Sequence, residues 1–315
     1  MRTRRPYGVV CPLATPLNDD ETLDQEALER LLDHILPDID GVLALGSSAE
    51  YALLRPEVAE RVVQVTIDHV AGRVPVYVGV GDTGTARALD NLRRFTRPGV
   101  ACVVATSSFY YPVADQAALQ KHFLTLAEAA TVPLVLYNIP QNTASNLAPE
   151  SVAKLAEHPN VIAMKDSWGD MFQFQEFLSA VPPEFGVLQG REQLAAASLW
   201  LGSAGLVSAL SNLAPKLVQA LSVAVGDGDR DRARATQREV TRVARPFDQG
   251  YWLSALNVAL AQQGFGSGRI ARPVPAPDRA QAARVRQLLS GRVARERSAP
   301  PHAARPASLR VAAAD

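Results

Sequence analysis

Short runs of consecutive apolar residues alternate with longer stretches in which apolar positions recur at three-and-four spacing, and the alternation repeats eight times. The runs cover residues 8–12, 41–46, 75–80, 100–106, 133–138, 161–165, 185–190 and 205–210, and are rich in β-branched residues. Continuous rather than alternating apolarity marks strands covered on both faces, as in a parallel sheet. The periodic stretches cover residues 24–35, 56–70, 85–96, 116–130, 149–157, 171–179, 193–201 and 214–225, and predict helices. From residue 9 to residue 225 each unit has roughly 27 residues, enough for a strand, a helix and two short loops. The pattern predicts an α/β fold, a (β/α)8 TIM barrel over residues 1–226. A doubly wound sheet would place a glycine-rich turn after the first strand, and none is there. The Gly79-Val80-Gly81-Asp82-Thr83-Gly84 stretch follows the third run and reads as a strand-to-helix turn.

Residues 229–243, 251–263 and 277–289 predict three further helices, a C-terminal appendage spanning 227–290. The glycine-rich stretch 264–268 between the last two reads as a flexible connector. From 291 to 315 the chain carries five arginines, two acids and no periodic apolar face, so disorder is expected there.

Thirty-two basic residues balance thirty-two acidic ones, so no net field draws the chain to nucleic acid or to a membrane surface. Hydrophobic residues make up 47% of the chain and can bury a large core, yet no stretch has the roughly 18 apolar residues of a membrane span. Cys11 and Cys102 are two isolated cysteines inside apolar segments, not a disulfide framework, and a reducing cytoplasm is the expected setting.

In a barrel the carboxyl ends of all strands converge on one face, so chemistry is sought there. The sixth run, Val161-Ile162-Ala163-Met164, ends on Lys165 before turning polar. Apolar surroundings favour the neutral amine, as a Schiff-base nucleophile requires, although a lysine can equally mark where a strand meets solvent. The second run closes in Gly46-Ser47-Ser48-Ala49-Glu50, two hydroxyls beside turn amides that suit a carboxylate or a plain helix cap. The fifth closes in Tyr137-Asn138-Ile139-Pro140, beside the lysine's strand, and the fourth in the aromatic cluster Phe109-Tyr110-Tyr111-Pro112.

These motifs, with Met164-Lys165-Asp166-Ser167, Gly190 and Gly205-Leu206-Val207-Ser208, resemble in order and spacing the pyruvate-dependent class I aldolases that include dihydrodipicolinate synthase and N-acetylneuraminate lyase. Gln141-Asn142-Thr143 and His158-Pro159-Asn160 bring the chain nearest to 4-hydroxy-2-oxoglutarate aldolase-like members. The resemblance implies that Lys165 forms an imine with pyruvate or another 2-oxo acid and that Tyr137 is the general acid and base. It implies a relay through Ser48 to a tyrosine from a neighbouring subunit, Tyr110 or, one register on, Tyr111. Ser47 and Ser48 would hold the substrate carboxylate. Asn142, Ser167, Gly190, Glu192, Val207 and Ser208 would line the space for the second substrate, an aldehyde. No cofactor beyond the covalent lysine imine and no metal is implied, and the assembly would be a homodimer or homotetramer.

Two departures alter that expectation. Ala49 replaces the turn's family glycine, where an unusual backbone angle or close packing would matter. Asn142 stands where dihydrodipicolinate synthases carry an arginine, and an amide cannot make the bidentate charged pair, so that synthase activity is not expected. Arg191 could supply charge at the same rim from another direction. His34, His69, His122, His158 and His302 show no metal-ligand spacing, and no Gly-x-Ser-x-Gly elbow is present. The sequence thus predicts a lyase of aldol type. The alternatives are a dehydratase or hydratase-aldolase using the same imine and, in another class, a barrel that binds a 2-oxo acid without turnover.

Overall fold

The computed structural model describes residues 6–248 and 251–289. Eight strands, β1 Gly8–Pro12, β2 Gly41–Ala44, β3 Val76–Gly79, β4 Val100–Thr106, β5 Leu134–Asn138, β6 Val161–Asp166, β7 Gly186–Gln189 and β8 Gly205–Val207, close into a parallel barrel in sequence order. Around it run α1 Gln25–Ile35, α2 Pro56–Val70, α3 Thr85–Phe95, α4 Gln116–Ala129, the single turn α5 Pro140–Thr143, α6 Pro149–Ala156, α7 Met171–Ala180, α8 Ala195–Trp200 and α9 Pro215–Gly226. Three C-terminal helices follow: α10 Arg230–Ala244, α11 Trp252–Gln262 and α12 Arg279–Leu289.

Local chemistry sets where the helices begin. Asp24, Asp115, Asp170 and Asp229 each accept a backbone N–H of the first turn through the side chain, and Pro56, Pro140, Pro149 and Pro215 fill the first helical position, where a missing N–H costs nothing. Strand alternation then sorts residues into two layers. Val10, Leu43, Tyr77, Val104, Val135, Tyr137, Ala163, Leu188 and Val207 fill the barrel's interior, while Val9, Cys11, Leu136 and Met164 point outward into the shell packed by the helices. Both cysteines are buried and free. No helix among the described residues is long and apolar enough to cross a membrane.

The eight-stranded barrel and the C-terminal helices agree with the sequence, and the differences lie at the ends of elements. The eighth run was expected to continue to residue 210, but β8 stops at Val207 and the chain turns into a 3-10 helix, Ala209–Asn212. Asn212 enforces the turn: its Oδ1 accepts the Ala14 N–H at 3.0 Å and its Nδ2 donates to Pro12 O at 2.9 Å. The predicted helix over 193–201 divides into a 3-10 turn, Glu192–Leu194, and α8. The stretch 264–268 corrects the flexible-connector expectation. Phe265 is buried against His34, with ring centroids 5.0 Å apart, and Ser267 Oγ donates to Leu17 O at 3.1 Å, so side chains dock this loop on the barrel. The turn after β3 leads into α3 as read. A Cβ on Gly79 would lie 2.0 Å from Leu45 O, so only glycine lets β3 approach the end of β2 this closely. The segment 291–315, expected to lack order, lies outside the described residues.

Candidate active site

Parallel pairing sets Tyr137 of β5 opposite Lys165 of β6, both facing the interior near the carboxyl ends of their strands. Lys165 is 5% exposed, and its Nζ stands 3.9 Å from the centre of the Tyr137 ring. The Tyr137 hydroxyl lies 3.4 Å from Ser47 Oγ and receives a long hydrogen bond of 3.5 Å from Ser167 Oγ. Burial pushes this phenol up. The charge of Lys165 and the hydrogen bonds from Lys165, Ser167 and Ser47 outweigh it and hold the phenol below its ordinary value.

A cavity of about 340 Å³ opens above this pair. Ser47, Ser48, Asn142, Ser167, Gly190, Glu192 and Val207 line it, as expected, together with Gln141 and Arg191. Ser208 does not. Along β8 and its continuation successive side chains alternate, so Val207 faces the cavity while Ser208 turns behind the wall and donates to Glu192 Oε1 at 3.0 Å. The relay expectation is also corrected, because the turn hydroxyl within reach of Tyr137 is Ser47, not Ser48.

The hydroxyl turn is a 3-10 helix, Ser47–Ala49, whose opening N–H groups have no partner within the turn and suit an anion. Leu45 at φ 55° and Glu50 at φ 58° are its left-handed residues, and Ala49 is not. The missing glycine therefore creates no backbone strain, and the Ala49 methyl is fully buried. Glu50, also buried, accepts Asn257 Nδ2 at 2.8 Å and the Ala271 N–H at 2.6 Å, tying the turn to the C-terminal helices. Burial raises its carboxyl despite these two bonds.

At the mouth, the backbone oxygen of Ser167 accepts Gln141 Nε2 and Arg191 Nε, each at 2.9 Å, so the loops after β5, β6 and β7 lock together. Gly190 makes this contact possible, since a Cβ there would lie 2.0 Å from Ser167 Oγ. Behind Lys165, Asp166 accepts Asn138 Nδ2 at 2.8 Å, and burial pushes its carboxyl up to about 6.

Sequence reasoning missed one wall. Phe247 and Tyr251, between α10 and α11, and Trp252 at the start of α11 also line the cavity, and the only hint was the aromatic pair opening the second appended helix. Tyr110 and Tyr111 lie elsewhere: they pack edge-on at 4.8 Å and are 78% and 74% exposed, outside the cavity of their own chain. A second cavity of about 360 Å³, lined by Tyr51, Thr106 and Phe109, adjoins the first at Ser47 and Asn142. Among the described residues no three His, Cys, Asp or Glu side chains gather as metal ligands.

A closed parallel barrel with a buried lysine and tyrosine at the carboxyl ends of neighbouring strands defines the class as (β/α)8 barrels with a lysine-centred pocket. The model of the dihydrodipicolinate synthetase family matches residues 5–291, and the chain belongs to that family of lyases. It is 36% identical over 272 residues to an uncharacterised DapA-like lyase of Halobacterium salinarum, covering 85% of this chain and 88% of that one. It is 34% identical over 288 residues to the 4-hydroxy-tetrahydrodipicolinate synthase of Acidobacterium capsulatum, covering 89% and 94%. Among solved structures it resembles YagE from E. coli K12, a family member crystallised with pyruvate, with a TM-score of 0.86, 27% identity and coverage of 91% and 98%. The dihydrodipicolinate synthase of Aquifex aeolicus gives a TM-score of 0.86 at 26% identity, with coverage of 90% and 97%.

Proposed function

We propose that the protein is a Schiff-base aldolase that joins pyruvate or a related 2-oxo acid to an aldehyde, or cleaves the product. The observation carrying this reading is the buried Lys165 amine over the Tyr137 ring, with the Ser47–Ser48 turn on the same cavity. The neutral amine adds to the ketone carbon, water leaves, and the iminium draws electrons from the neighbouring methyl, which loses a proton to give an enamine. The enamine carbon attacks the aldehyde, Tyr137 protonates the resulting alkoxide, and water releases the product from Lys165. In cleavage the same phenol takes that proton back. Ser47 and Ser48 hold the acid's carboxylate by hydroxyls and oriented amides.

The grip on the second substrate differs from that in the synthases. Asn142 carries no charge, which argues against an acceptor gripped at that position by a bidentate carboxylate pair. The assembly follows the same reasoning: Tyr110, exposed on its own chain, extends the Tyr137–Ser47 relay of a second copy, so the active form is at least a dimer.

Borohydride reduction in the presence of pyruvate provides the test. With only four lysines in the chain, mass spectrometry assigns the adduct directly. Modification of Lys165, lost in Lys165→Ala, is expected, and an unmodified protein or an adduct on another lysine sinks the reading. Pyruvate with a panel of aldehydes, set against 2-oxo sugar acids alone, separates aldol chemistry from dehydration by the same imine.

A further inference from the structure

Two cations line the cavity among its described residues, Lys165 at its floor and Arg191 at its mouth. The reading above occupies Lys165 with the first substrate and assigns Arg191 nothing. Arg191 is exposed at the mouth, but its position is fixed. Its Nε donates to Ser167 O at 2.9 Å, and its backbone N–H is held by Gln189 Oε1 at 2.9 Å. The guanidinium lies against Gly169, where a Cβ would sit 3.5 Å from Nε. With Nε committed to the protein, the two terminal nitrogens remain as a planar pair of donors, and no carboxylate lies within ion-pair distance among the described residues.

Ser167 lies between the loops of β5 and β7, so Arg191 stands across its carbonyl from Gln141 and Asn142. The charge missing at Asn142 is thus present on the neighbouring side of the same mouth. Two carboxylates bear on that charge: Asp166, buried behind Lys165 and within electrostatic reach of Arg191, and, on the cavity itself, Glu192. The Glu192 Oε1 is bound by Ser208 Oγ at 3.0 Å and the Leu210 N–H at 3.2 Å, donors that follow β8 behind the cavity wall.

We propose that Arg191 determines specificity for the second substrate, and that this substrate is an aldehyde bearing a carboxylate at the end remote from its carbonyl. The proposal rests on the imine reading for the direction in which the substrates lie, and the test keeps the two apart. Succinic semialdehyde and butanal have the same number of carbons and differ in the carboxylate. Each is titrated against wild-type, Arg191→Gln and Arg191→Lys protein in the presence of pyruvate, following initial rates and tryptophan fluorescence, to which Trp252 on the cavity contributes.

Wild type is expected to bind the carboxylate-bearing aldehyde about tenfold more tightly than butanal, with the preference shrinking as salt is added. Arg191→Gln should lose that preference, raising KM for succinic semialdehyde about tenfold more than KM for butanal, and Arg191→Lys should fall between. Borohydride trapping of pyruvate is run on all three proteins, and an adduct on Lys165 in each certifies that the variants are folded. Equal weakening of both aldehydes in Arg191→Gln, no effect on either, or no preference in wild type overturns the assignment. Absence of the Lys165 adduct in wild type fails the imine reading instead, and the binding preference still decides for or against Arg191.

Discussion

Tyr137 illustrates how much a side chain's neighbours set what it can do. A free phenol releases its proton near pH 10 and is a poor base at neutral pH. Here burial alone would make it worse, but the Lys165 charge and three hydrogen bonds pull it the other way. Tyr137→Phe removes only the hydroxyl, so pyruvate should still be trapped on Lys165 while turnover falls about 10²- to 10⁴-fold, the usual range for a lost general acid or base. Turnover at the wild-type rate would remove the phenol from the mechanism. Asp166, one residue on, faces the opposite side of β6 and has a different consequence. Its carboxyl, pushed up to about 6, binds more protons folded than unfolded between about pH 4 and pH 6. Its contribution to stability is therefore fully present below about pH 4 and is lost as pH rises through about 6. Relative to Asp166→Asn, wild type should lose about 2 to 3 kcal/mol of unfolding free energy between pH 4 and pH 7, measured by denaturant titration. A flat difference across that range would contradict the burial argument.

At the level of elements, the working parts are the short segments just past the strands, held by side chains from distant positions. Glu50 ends the hydroxyl turn after β2, yet its two oxygens bind α11 and the loop after it, more than 200 residues away in sequence. Glu50→Ala would strip Asn257 and the Ala271 amide of a buried acceptor, an expected cost of about 2 to 4 kcal/mol by chemical denaturation. It would also loosen the carboxylate turn against the Tyr251–Trp252 wall, so KM for the 2-oxo acid should rise in the folded fraction. Unchanged stability would show that the tie is incidental. The loop at 264–268 teaches the same lesson. Its glycines suggest freedom, but one buried aromatic and one hydroxyl contact fix it to the barrel.

For the molecule as a whole, the position of Tyr110 makes assembly part of the proposed chemistry. If each site combines its own Lys165 with the partner's Tyr110, then Lys165→Ala and Tyr110→Phe chains, each inactive alone, should complement when unfolded and refolded together. Random pairing of equal amounts makes half the dimers mixed with one intact site in each, about a quarter of wild-type activity. No recovery, with dimers present by sedimentation, would refute a shared site. Recovery with Tyr111→Phe in place of Tyr110→Phe would shift the role by one residue.

The barrel was legible because its evidence is local and repeated. Eight continuous apolar runs and intervening three-and-four periodicities each report burial directly, and prolines and aspartates mark the helix starts. Lys165, Tyr137 and the serine turn were legible because a strand's carboxyl end has a fixed place in a parallel barrel, whatever the loops do. The remainder depended on which way individual side chains turn and on what distant segments bring. Only the folded chain put Ser47 rather than Ser48 against Tyr137, turned Ser208 behind the wall, gave the left-handed positions to Leu45 and Glu50 instead of residue 49, and closed the cavity with Phe247, Tyr251 and Trp252. The sequence by itself determined the architecture and which side chains stand at the strand ends, because periodicity encodes burial. Tertiary structure decided the shape and charge of the mouth, because contacts across β5, β6, β7 and the C-terminal helices leave no periodic trace in the chain.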